Sequence, residues 1–322
     1  MASDLILRYT LHPDGAHLVQ VLGDTPCPQL PDTVGGAPIT QIGAYAFAAK
    51  PEKIRPDGPV LTETVGRPTA EEPLCGRALQ AVGLPTTVRI LQNAAFYDCR
   101  SLQELTVGPS LEALGSDIFT NCFKLATVRI VADPEQPTGL KRLLYALQND
   151  MRVLFVPQGK TVLALRYPEF WEELEENAPA HILNMSIHGQ GYMYRQCFSP
   201  DVLNLAEYDR VFHPSLAEGN HTLLGLLALD RLRWPGKLHS EAEAEYRRFL
   251  QEEGTLPAKA LIRVDDTEGL TALCDLKVLD EAAVTQLTAF CSEQDKPAAQ
   301  ALLMDYKHRC FGRAKKTYSF DF

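Results

Sequence analysis

Apolar residues recur along residues 88–130 at a separation of 23. Phe96, Cys99, Leu102 and Leu105 reappear as Phe119, Cys122, Leu125 and Val128. An earlier copy opens at Ile39-Thr-Gln-Ile42-Gly43-Ala-Tyr-Ala46-Phe47, and its closing strand comes at Leu79-Gln-Ala-Val82-Gly-Leu84. Phe47 and Phe96 lie 49 residues apart, which is one period plus an insertion of 26. Each unit predicts a short strand, an irregular arc and a second short strand around one coil. A single coil cannot bury its apolar side, whereas stacked coils form a continuous interior ladder. Gly43 and Gly115 fall where a tight bend is expected. Cys99 and Cys122 become ladder neighbours, and parallel side-chain directions favour free thiols there over a disulfide.

A solenoid end needs a cap. Leu5–Leu11 and Ala16–Leu22 alternate on either side of His12-Pro13-Asp14-Gly15, which predicts a capping β-hairpin. His12 and His17 flank this turn; solvated histidines are expected, with a metal pair as the alternative. Leu140, Leu143, Leu144 and Leu147 have helical spacing, and Arg152-Val-Leu-Phe-Val-Pro157 reads as another closing strand, giving a last, modified coil. The insertion, residues 50–75, carries Pro51, Pro56, Pro59, Pro68 and Pro73 and is expected to be disordered or decorative. Glu172–Glu176 is expected to be a solvated helix or linker face, since its spacing lacks the pattern of a calcium loop.

The copies at 88–107 and 111–130 follow the pattern V-x-x-I-G-x-x-A-F-x-x-C-x-x-L-x-x-I, and that at 39–50 follows it in part, with Lys50 at the Cys position. In this, residues 30–157 resemble the BspA-like leucine-rich repeat family. The resemblance implies a right-handed solenoid with a binding role, often in cell-surface adhesion.

From about residue 202 the period becomes helical. Helices are expected over 223–233 with Thr222 as cap, after Ser240 up to Gly254, over 258–264 and 268–276, over 281–291 behind Asp280, and over 298–311 opened by Pro297. Asp266/Asp295, Leu273/Leu302 and Cys274/Leu303 suggest a repeat of 29. This part weakly resembles an ankyrin-like helical array, without the T-P-L-H motif. Residues 182–198 combine strand-like pieces with aromatics suited to packing. The expected class is α+β: a leucine-rich repeat β-solenoid with a hairpin cap over 1–157, a connecting segment over 158–201, and an all-α helical-hairpin domain over 202–322.

Composition narrows the function. The formal net charge is −10, which argues against general nucleic-acid binding. Lys307, His308, Arg309, Arg313, Lys315 and Lys316 form a basic end, read as charge favourable at a helix C-terminus plus a solvated tail. The N-terminus has neither a basic nor an apolar leader region, and no stretch is long enough to span a bilayer, so a cytoplasmic setting without membrane contact is expected. Eight scattered cysteines without a C-x-x-C pair speak for buried free thiols. Nucleophile elbows, H-E-x-x-H, P-loops and kinase signatures are missing from the sequence, so neither an enzyme nor a cofactor is expected. The expected role is a non-catalytic interaction module for a protein or peptide. Its contact ribbon would be Gln80, Gln103, Glu104, Thr106, Thr127 and Arg129, alternating with the buried Leu and Val of the closing strands. Two alternatives stand beside it. One is a Cys-dependent hydrolase around Cys197, with His181, His188 and Glu173 or Glu176. The other is a surface adhesin exported without a visible signal.

Overall fold

The alternating residues around His12-Pro13-Asp14-Gly15 form an antiparallel hairpin, β1 (Leu5–His12) and β2 (Gly15–Leu22), in the computed structural model, which describes residues 3–177 and 182–312. Then follow β3 (Thr33–Val34), β4 (Ala37–Ile42), β5 (Leu61–Val65), β6 (Ala81–Gly83), β7 (Ile90–Leu91), β8 (Glu104–Val107), β9 (Ala113–Leu114) and β10 (Thr127–Ile130). The hairpin caps the solenoid, because β2 pairs in parallel with β4 and so covers the ladder's open end. One sheet runs β5-β1-β2-β4-β7-β9, and a second runs through β10, β8 and β6 in parallel.

Between the sheets, identical positions stack. Phe96 lies between Phe47 and Phe119, with ring centroids 5.0 and 5.7 Å apart. Leu79, Leu102 and Leu125 are buried in succession, as are Val82, Leu105 and Val128. Cys99 and Cys122 are free and buried. The bends are not made by Gly43 and Gly115, which do not adopt positive φ. Left-handed φ falls instead at Tyr45, Ala94 and Asp117, which keep the 49 and 23 spacing, and at Asp98 and Asn121. The two glycines allow coils to approach: a Cβ on Gly43 would sit 2.8 Å from the Leu18 carbonyl oxygen, and one on Gly115 would collide with the Asn93 backbone.

The insertion is ordered, contrary to expectation. Its β5 pairs with β1 from Leu5↔Val65 to Tyr9↔Leu61 and so satisfies the hydrogen-bonding edge of the cap. In the last coil, α1 (Leu140–Ala146) replaces the irregular arc, β11 (Met151–Phe155) joins β10 in parallel, and β12 (Leu163–Tyr167) returns antiparallel to β11. The acidic segment is a strand, not a helix or linker: β13 (Trp171–Asn177) pairs with β14 (Ile182–His188) along its whole length, including Glu173↔Ser186 and Leu174↔Met185. Two helices follow, α2 (Gly191–Arg195) and α3 (Leu205–Arg210). Arg195 is fully buried and donates to the carbonyls of Leu144, Leu147, Asn149, Pro168 and Gly191. It thereby satisfies orphan acceptors at the end of α1. Burial lowers its pKa to about 10. Tyr208 of α3 packs on Tyr167 and Tyr194.

The chain divides into two compact units, Met1–Val211 and Phe212–Phe322. The second holds α4 (Phe212–Ser215), α5 (His221–Arg233), α6 (Ser240–Glu253), α7 (Thr255–Arg263), α8 (Thr267–Asp275), α9 (Glu281–Glu293) and α10 (Pro297–Phe311). The cap of α5 is Asn220, whose side chain accepts from the Thr222 and Leu223 amides, and not Thr222. Asp266 and Asp280 cap α8 and α9. The helical repeat runs at 30, not 29. Asp265 and Asp295 both take left-handed φ, and the amides of Asp266 and Lys296 bond back to the carbonyls of Leu261 and Cys291. These are matching helix C-terminal turns. Arg313, Lys315 and Lys316 of the basic tail lie outside the described residues.

Candidate functional site

The second sheet buries Leu105, Val107, Val128 and Ile130 and turns the intervening side chains outward. Register places Glu104 beside Thr127 and Thr106 beside Arg129. Across this row the Arg129 Nε donates to Glu104 Oε1 at 2.8 Å, with both side chains about one-third exposed.

Gln80 and Gln103 occupy a different place from their four companions. Strict alternation from Leu105 would turn Gln103 inward, yet it is exposed. It sits at the corner before β8, where the Gln80 carbonyl accepts from the Gln103 amide at 2.7 Å. The Gln103 carbonyl in turn accepts from the Ala126 and Thr127 amides. The structure therefore brings Glu104, Thr106, Thr127 and Arg129 onto one face, with Gln80 and Gln103 along its border.

Sequence reasoning missed two members of this face. Arg152 of β11 stands opposite Thr127, and Arg166 of β12 stands opposite Arg152. The alternation of Arg152 with buried Val153 could have revealed the first. The second depends on β12 returning along β11, for which no repeat gives a signal.

Both edges of this sheet are engaged by the chain itself. Along β6 the Leu30 amide donates to the Gly83 carbonyl and the Gly83 amide to the Pro28 carbonyl, each at 2.9 Å. Along β12 the Tyr208 hydroxyl meets both the amide and the carbonyl of Arg166. Strand addition at these edges is thus obstructed, and recognition falls to the outward side chains.

The residues of the hydrolase alternative fall on separate elements, Glu173 on β13, His188 on β14 and Cys197 just after α2. The Cys197 Sγ donates to the Met193 carbonyl, and burial pushes its pKa up to about 12, opposite to an activated thiolate. His188 stacks on Trp171 and lies 3.1 Å from Glu173. His181 and the side chain of Glu176 lie outside the described residues.

The chain combines a solenoid of stacked coils with a unit of paired helices. Residues 74–142 match the family described as BspA type Leucine rich repeat region (6 copies), and this segment is built of such repeats. Among solved structures, the T. pallidum leucine-rich repeat protein is similar at 22% identity, over 38% of this chain and 67% of that chain, with a TM-score of 0.23. No curated protein matches the chain. Among the described residues, no helix is long and apolar enough to cross a membrane.

Proposed function

We propose that this chain is a non-catalytic interaction scaffold whose second sheet binds a protein or peptide through its outward face. The observation that carries the reading is the row Glu104, Thr106, Thr127 and Arg129, held in register on a stack of coils and extended by Arg152 and Arg166. A rigid row of this kind presents charge and hydrogen-bonding groups at fixed spacing, and little ordering entropy is lost on binding. The helical unit, read as an ankyrin-like array, would add a second surface. The working location is the cytoplasm, without nucleic-acid or membrane partners.

The test is affinity capture from native extract with the wild type beside a Gln103/Glu104/Arg129 triple alanine variant, read by quantitative mass spectrometry. A protein enriched by the wild type and lost with the variant supports the reading. Equal capture by both removes the face as the site. Cell fractionation tests the location.

A further inference from the structure

We propose that His12, His17 and Asp57 form a binding site for a divalent transition-metal ion of the zinc type. His17 pairs with Thr10 across the cap hairpin and with Gln41 across β2 and β4, so these polar side chains share one face of the sheet. His12 lies diagonal to His17 on that face. The insertion then lays Asp57, at its Arg55-Pro56-Asp57-Gly58 turn, over both rings. His12 Nε2 is 3.1 Å from Asp57 Oδ1, and His17 Nδ1 is 2.8 Å from Asp57 Oδ2. One ligand atom from each residue lies within 4.8 Å of the other two. Three such atoms suit a single ion, each about 2.0–2.2 Å from the metal.

The surroundings are those of a built site rather than of a solvated turn. His17 is only 9% exposed. Its second nitrogen, Nε2, lies 3.2 Å from Asp14 Oδ1, the carboxylate–histidine arrangement that fixes a ligand ring's tautomer and direction. Thr10 donates to Asp57 Oδ1 at 2.7 Å and orients that carboxylate. A cavity of ≈ 40 Å³ is lined by His17, Gln41 and Asp57. It has room for a water molecule as a further ligand. Two imidazoles beside a carboxylate favour zinc-like ions over calcium or magnesium, which take oxygen ligands. With Asp14 close by, a dication and two carboxylates would leave the site neutral. The rings are now stacked, 3.9 Å between centroids and 11° from parallel. Binding requires them to splay, a rotation open to His12, the more exposed of the two.

An ion here would tie the cap hairpin to a turn 40 residues further along the chain. The site lies on the first sheet and stands or falls independently of the face proposed above.

The test is titration of the metal-free full chain with Zn²⁺ against a competing chelator, and with Co²⁺ by visible absorption. One equivalent is expected to bind. Affinity should fall at least tenfold in both His12→Gln and Asp57→Asn, since even the loss of a group that only orients a ligand costs about that much. Zn²⁺ should raise the melting temperature of the wild type and not of the variants. The proposal is overturned if the wild type takes up no stoichiometric Zn²⁺. It is equally overturned if both variants bind as tightly, which would place the ion elsewhere, such as at the exposed Cys27 or Cys310. Should Asp57→Asn fail to fold, wild-type histidine NMR decides. Zn²⁺ must move the ring signals of His12 and His17, and unchanged signals sink the idea.

Discussion

The Sγ of Cys122 donates to the carbonyl oxygen of Phe96 at 3.0 Å, and one coil earlier Cys99 does the same to Phe47. Each thiol thus adds a second donor to a carbonyl that a backbone amide already reaches, from Gly76 to Phe47 and from Cys99 to Phe96. The adjacent Cys122 thiol, together with burial, raises the pKa of the Cys99 thiol, and both thiols are closed off from solvent. Neither thiol should react with iodoacetamide in the folded protein, whereas the exposed Cys27 and Cys310 should be labelled first. Peptide mapping after timed labelling checks the order.

Phe96 is the centre of the aromatic stack and is fully buried. Phe96→Ala should cost roughly 3–5 kcal/mol of stability, the usual range for a buried Phe truncation. Phe123, one residue past the repeated Cys position of the coil, is 70% exposed. Phe123→Ala should change stability by about 0.5 kcal/mol or less. Urea unfolding of the pair separates ladder from surface. Equal effects would contradict the stacking.

Arg195 donates to five carbonyl groups. Arg195→Met would fill much of the space yet leave buried acceptors unpaired, each at a cost of about 1–3 kcal/mol. A loss above about 3 kcal/mol is expected. Arg195→Lys should recover little of it, because an ammonium cannot reproduce the planar fork. Chemical denaturation of both variants measures this.

Cys197 and Cys274 are both pushed up to about 12, in each case chiefly by burial. Their folded state therefore favours the neutral thiol. That contribution is complete below the unfolded value near 9 and is lost as pH rises through the folded value. Stability should decline between about pH 9 and 12. A Cys197→Ala/Cys274→Ala variant should show a shallower decline over the same window in melting experiments, and an identical slope would contradict this origin.

On the outward face, Arg129→Ala removes an exposed ion pair with Glu104, and such pairs contribute about 0–1 kcal/mol. The melting temperature of a Gln103→Ala/Arg129→Ala variant should stay near that of the wild type while capture of the partner falls. A large drop in melting temperature would mean that these residues hold the fold instead.

The sequence by itself determined the coil. Phe96 must stack on Phe119 and Leu102 on Leu125, because an interior ladder repeats its environment every 23 residues and therefore repeats its residue types. Asp280 and Pro297 marked helix starts for local reasons: the Asp280 side chain accepts from the Ala283 amide, and a proline at the first helical position loses no intrahelical bond. The tertiary structure alone decided where the aperiodic pieces dock. Nothing local to Asp57 points to His12 and His17; they meet because β1 offered an unpaired edge and β5 of the insertion took it. The same holds for Arg166, carried to the candidate face by the return of β12, and for Arg195, whose guanidinium donates to the Leu144 and Leu147 carbonyls at the end of α1. Periodicity encodes neighbours one coil away. Pairing between distant segments depends on which backbone edges and buried acceptors the assembled coils leave open.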